Sequence, residues 1–192
     1  MKYLYLIFGL VVIFCLVSMP TTAFAQGKPR VSLKASVTQR LGADTDITID
    51  YSRPGVKGRK IWGELVPFGL APGNKSSKDK PFPWRAGANE NTTISFNKDI
   101  LIEGQKLPAG KYGIHIIPSK TTWIIIFSKN SAAWGSFSYN QDEDALRVTV
   151  TPVKAPFEEW LTFGFDDLTA NSATSFLRWE ELKVPVKVKL AE

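Results

Sequence analysis

Apolar and polar residues alternate with a period of two along much of the chain, most clearly near its C-terminus. Val184, Val186, Val188 and Leu190 fall on one side of such a strand, and Pro185, Lys187 and Lys189 on the other. That is the pattern of a strand with one face on a core and one in water. Leu161, Phe163 and Phe165 form a second inward row. Trp123-Ile124-Ile125-Ile126-Phe127 is apolar at every position and predicts a central strand. The preceding Pro118-Ser119-Lys120-Thr121 predicts a turn that folds residues 110–117 back against it. Runs rich in β-branched and aromatic residues, punctuated by Gly, Pro, Asn and Asp, predict strands over 32–39, 46–52, 92–96, 100–103, 110–117, 123–128, 145–151, 160–166, 172–179 and 184–190. No long window carries a helical stripe. About ten short strands with turn signals between them predict an all-β chain, a single β-sandwich of jelly-roll or immunoglobulin-like type.

Two segments break the pattern. Residues 1–25 have the layout of a secretory signal: Lys2, an apolar run from Leu4 to Val17, then Ala23-Phe24-Ala25 as a small-residue cleavage site. Spanning a bilayer takes about 20 apolar residues. This run is shorter and Pro20 follows it, so cleavage after Ala25 is expected rather than anchoring. Cys15 does not read as a lipid-attachment site, because Phe14 precedes it. The expected domains are a cleaved signal over 1–25 and one sandwich over 26–192. The expected location is the periplasm, the cell surface or the medium, with no membrane span left after cleavage. The second break is 70–83, LAPGNKSSKDKPFP, which has little to bury and predicts an exposed loop, mobile unless a partner orders it.

Cleavage changes the chemistry available. It removes the only cysteine, so the mature domain holds no disulfide and no thiol nucleophile. It takes one cation and no acid, leaving a net charge one unit below the +6 of the whole chain. The basic residues are dispersed rather than striped, which argues against a nucleic-acid partner. The sole histidine, His115, faces opposite Ile114 and Ile116 and has no nucleophile elbow beside it, so it predicts a satisfied strand histidine. Gly104 to Lys111 resembles a phosphate loop superficially. It has one residue too many between its glycines, and Tyr112 stands where Ser or Thr would hold magnesium, so a hairpin is expected. The acidic groups Asp44/Asp46, Asp142/Glu143/Asp144 and Asp166/Asp167 lack a complete calcium loop and predict solvated turns. No cofactor motif is present, and no motif identifies a reaction.

Two polar segments look locally specified. In 51–63, YSRPGVKGRKIWG, a strand runs into a Pro-Gly turn followed by basic residues around Gly58. Such loops expose backbone N–H groups, and Arg beside them favours carboxylate or phosphate. In 84–90, WRAGANE, an indole and a guanidinium precede an amide and a carboxylate. The candidate ligand-binding residues are Arg53, Lys57, Arg59, Trp84, Arg85, Asn89 and Glu90. The competing structural reading makes Arg85 and Glu90 a buried pair that ties loops to the sandwich.

The blocks YSRPGVKGRKIWGELVPFG, WRAGANENTTISF, LPAGKYGIHIIP, WIIIFSKN, WGSF and LTFGFDDLTANSATSFLRWE resemble, in order, those of a bacterial exported family, domain of unknown function 2911. The resemblance runs from about Val31 to Val188. It implies a small, exported, β-rich protein and assigns no catalytic roles. It also implies that most of 70–83 is an insertion, because the family joins Phe68-Gly69 to Trp84-Arg85 with few residues.

Three functions compete. The first is a non-enzymatic binding module for a small or glycan-like ligand in the cell envelope. The second is an accessory or structural protein that docks another envelope protein through an edge strand or the 70–83 loop. The third is a hydrolase using a carboxylate such as Glu90 as general base, with or without His115.

Overall fold

The computed structural model describes residues 28–191, so the expected signal and its cleavage point lie outside the described residues. Ten strands form two antiparallel sheets: β1 (Leu33–Leu41), β2 (Thr45–Arg53), β3 (Thr92–Phe96), β4 (Ile100–Ile102), β5 (Gln105–Leu107), β6 (Gly110–Ile117), β7 (Trp123–Ser128), β8 (Asp144–Val150), β9 (Val153–Asp166) and β10 (Ser172–Leu190). One sheet has the order β1-β2-β3-β6-β7-β8 and the other β5-β4-β10-β9. The second sheet packs over one face of the first. Ile49, Ile94, Ile114, Ile125 and Phe127 from the large sheet meet Phe163, Leu177, Val184, Val186 and Val188 from the small one. The predicted inward rows of β9 and β10 are those that reach this core.

The ten observed strands are not the ten predicted. The stretches 172–179 and 184–190 are one strand, β10, whose register with β9 shifts between Arg178 and Glu180 and between Glu180 and Leu182. The charged run Glu180-Glu181 interrupts the apolar alternation in sequence, but Glu180 at φ 55° makes a bulge, which bends a strand without ending it. The expected hairpin after Gly104 contains a strand of its own: Glu103 and Gly104, at φ 49° and 79°, make a tight reversal between β4 and β5. β9 starts at Val153 rather than at 160. It is an edge strand, where Pro156 is tolerated.

β7 pairs with β6 on one side and β8 on the other, and the turn at 118–121 folds β6 onto it as expected. After β2 the chain crosses to the other sheet, where Val56 N donates to Glu159 O (2.8 Å) and Leu161 N to Pro54 O (3.0 Å). The 70–83 loop is mostly exposed, but it closes on itself. Ala71 and Phe82 exchange backbone hydrogen bonds, and Asn74 caps a short 3-10 turn at Lys75–Ser77 through the N–H groups of Ser76 and Ser77.

Candidate functional site

The 84–91 segment owes its shape to where β3 stops. β3 pairs with β6 only as far as Thr92 opposite Ile114, and Trp84 takes the next place, exchanging backbone hydrogen bonds with Ile116 (2.8 and 2.7 Å). The residues between must loop out of the sheet. Ala86 and Asn89 accordingly stand at φ 55° and 59°, a region uncommon outside glycine. Thr92 Oγ1 donates to Ala86 O and Arg85 Nη1 to Asn89 O, which hold the loop as a ridge.

On one side of the ridge lies a recess of about 470 Å³. Trp84 and Trp179 line it, their rings 6.1 Å apart and nearly parallel (16°). Trp62 stands edge-on to both of them and to Trp123. Each such aromatic pair is worth about 0.5–1.5 kcal/mol beyond its buried area, so this floor is rigid. Trp179 Nε1 donates to Glu159 O (3.2 Å). Leu65, Val66 and Val31 supply apolar walls.

Lys57 and Arg59 supply the charge. Arg59 donates from Nε to Val56 O (3.1 Å) and from Nη2 to Gly55 O (2.5 Å), so the turn after β2 fixes its guanidinium. Lys57 stands at φ 49°, its own N–H on Glu159 Oε1 (2.9 Å) and its ammonium 5.5 Å from the centre of the Trp160 ring. Neither cation forms an ion pair among the described residues.

The other four predicted site residues go elsewhere. Arg53 stitches the two sheets, donating to Leu161 O (2.9 Å) and Thr162 Oγ1 (2.6 Å). Asn89 Nδ2 reaches Ser32 O (3.3 Å). Glu90 pairs with Arg30 (2.6 Å) and Lys34 (3.6 Å) across the ridge, so the Arg85–Glu90 pair considered from sequence does not form. The two side chains leave the ridge in different directions. The hydrogen bond from Arg30 holds the Glu90 carboxyl below the usual carboxylate range, which makes it a poor general base.

Arg85 runs beneath the connection between β7 and β8. Its guanidinium lies 4.7 Å from the centre of the Phe137 ring, and burial pulls its pKa below the ordinary value. Gly135 suits this place: its φ is 66°, and a Cβ would stand 2.2 Å from Arg85 Cζ and force the guanidinium to shift. This connection, residues 129–143, roofs the outer side of β6 to β8. Ser136 Oγ meets His115 Nδ1 at 2.7 Å, and the Tyr139 ring stands edge-on to the imidazole at 5.4 Å. Burial, with Arg85 adding to it, lowers the His115 pKa to about 4. Tyr139 donates to Asp144 Oδ2 (2.8 Å), and its hydroxyl is pushed up to about 12, chiefly by burial and then by that carboxylate. His115 is thus a neutral, enclosed side chain whose hydrogen-bond partner is Ser136 rather than a carboxylate.

Of the seven residues expected from sequence, the structure brings Lys57, Arg59 and Trp84 together. It adds Trp179, which lies on β10 far along the chain. No local sequence signal could have linked Trp179 to the 51–63 segment. Among the described residues, no group of three or more His, Cys, Asp or Glu stands close enough to hold a metal ion.

No curated protein and no solved structure matches this chain. One family model does, over residues 32–188, a span that contains both sheets, the ridge and the recess. The chain belongs to the family described as Protein of unknown function (DUF2911).

Proposed function

We propose that this is an exported, non-enzymatic binding module whose recess takes a small ligand with an anionic group on an apolar or aromatic body. The observation that carries it is the pairing of two side-chain cations that form no ion pair among the described residues with an indole-lined recess beside them. An apolar lining with a few fixed polar groups is the usual make-up of a small-molecule site. A guanidinium already held by backbone carbonyls loses little freedom on meeting a carboxylate or phosphate.

The test is titration calorimetry and tryptophan fluorescence against aryl and acyl carboxylates, each beside its alcohol analogue. Carboxylates are expected to bind and alcohols to bind at least tenfold more weakly, with Arg59→Ala erasing the difference. Equal binding of acid and alcohol, or indifference to Arg59→Ala, overturns the reading. The exported address rests on residues 1–25. It predicts that protein recovered from a bacterial envelope or medium begins at Gln26.

A further inference from the structure

The outer face of the six-stranded sheet carries a second concavity that shares no lining residue with the recess. Its floor follows from strand register. Ser36 on β1 lies opposite Asp50 on β2, Asp50 opposite Thr93 on β3, and Thr93 opposite Gly113 on β6. Three short polar side chains in a row leave the sheet surface low. The row ends at Gly113 because the chain after β7 comes down there: a Cβ would stand 2.4 Å from Asn91 Nδ2 and 3.0 Å from Asn130 O. Asn91 Nδ2 donates to Asn130 O (3.2 Å) and pins that approach. The next residues, Ser131 to Trp134, then form one wall. The result is an open groove of about 600 Å³, within the roughly 300–1,000 Å³ range of small-molecule sites.

Each acid of the groove has a cation beside it: Glu90 is met by Arg30 and Lys34, and Asp50 by Lys111 at 3.8 Å. Three cations against two acids leave a single positive charge, and none of the five groups is without an opposite charge beside it. What remains are hydroxyls, carboxylate oxygens and an amide, beside one large apolar surface: Trp134, 60% exposed at the wall. Folding gains little from an indole held in water, since the hydrophobic gain scales with area removed from it. A partner with hydroxyls on one side and a flat C–H face on the other fits the polar floor and the exposed indole.

We infer that this groove is a saccharide site for a neutral, hydroxyl-rich oligosaccharide, with Trp134 as the plate on which a sugar ring stacks. Ser36, Asp50 and Thr93 exchange hydrogen bonds with its hydroxyls. A polyanionic chain would meet a single excess positive charge with both carboxylates of the groove set against it, and a protein partner would need more apolar surface than one indole.

The test uses the mature chain against neutral gluco-, manno- and chito-oligosaccharides of two to six units, with uronic-acid oligomers as the charged counterpart, read by calorimetry. At least one neutral series is expected to bind, weakly dependent on salt and with an indole fluorescence change. Trp134→Ala is expected to weaken binding at least tenfold and Asp50→Asn several-fold. Phe157→Ala, which removes a comparably exposed aromatic (56%) on β9, leaves it unchanged. No binding by any neutral series at millimolar concentration overturns the inference. So does binding indifferent to Trp134→Ala, or preference for the charged oligomers with steep salt dependence.

Discussion

The outer face of the six-stranded sheet is one continuous register with two different halves. Over β1, β2 and β3 its outward positions are Ser36, Thr38, Thr48, Asp50, Thr93 and Ser95, all at least partly exposed except Thr93, which is buried at the floor of the groove. Over β6, β7 and β8 the same face carries Gly113, His115 and Ile126, all buried under residues 129–143. Strand alternation is obeyed in both halves. What differs is whether a loop lies on top, and that decides whether an outward position reads as surface or as core. The roofed half gains burial of Ile126 and must keep an imidazole neutral to do so. The outward side chains of the open half make only exposed contacts, such as the Thr38–Thr48 hydrogen bond (2.8 Å) and the Asp50–Lys111 pair, which are worth little to folding.

The comparison breaks most readily at Ile126, which is fully enclosed although it faces away from the sandwich core. Ile126→Ala should cost about 2–5 kcal/mol in denaturant melts, the range for a buried large-to-small change. Thr38→Ala at an outward position of the open half should stay within about 0.5 kcal/mol. Similar costs for the two would mean that the roof is not a second core.

The next effect is pH dependence. The unfolded chain protonates His115 near 6.5, whereas the folded chain resists until about 4. Stability from this residue is therefore full above pH 6.5 and is lost as pH falls from 6.5 to 4, by on the order of 3 kcal/mol. Equilibrium unfolding across that window should show the slope, and His115→Gln should flatten its upper part. The paired carboxylate Glu90 has a lowered pKa and loses its contribution only at lower pH.

Gly113→Ala should have a smaller effect, about 1–3 kcal/mol for overpacking. Its added methyl group meets Asn91 and the backbone of Asn130, so it should lift the start of the roof. Faster amide exchange confined to residues 129–143, with β1 and β2 unchanged, would locate the damage in the roofed half. The smallest expected change is in the stability of Trp134→Ala, within about 0.5 kcal/mol because the indole is mostly in water. A loss above about 1 kcal/mol would make Trp134 part of the packing rather than a free plate.

Much of the architecture was legible because strand alternation and turn residues are local. The turn at 118–121 and the inward rows of β9 and β10 follow from neighbours in the chain. Other features were not. Trp123 to Phe127 is apolar on both faces, which reads as a strand flanked on both sides. β7 is so flanked, but flanking satisfies the backbone, and it is the roof that buries Ile126. Glu180 and Glu181 interrupt the apolar alternation, yet a bulge lets β10 run through them. The seven candidate site residues were chosen for chemistry and proximity in sequence. Three meet in the recess, and Arg53, Arg85, Asn89 and Glu90 are drawn off by Leu161 and Thr162, Phe137, Ser32 and Arg30.

By itself the sequence determined the class of the fold, the likeness to a family of unknown function, the absence of cysteine from residues 26–192 and the two polar segments around the ridge. Periodicity, composition and turn chemistry are properties of neighbouring residues, so a linear reading reaches them. The tertiary structure alone decided which side of the 84–91 ridge each side chain takes. It also decided that Trp179 joins Trp84, and that one half of a sheet face is roofed while the other stays open. Those outcomes depend on contacts between residues far apart in the chain, where pairing register and the descent of a loop onto a glycine set the geometry.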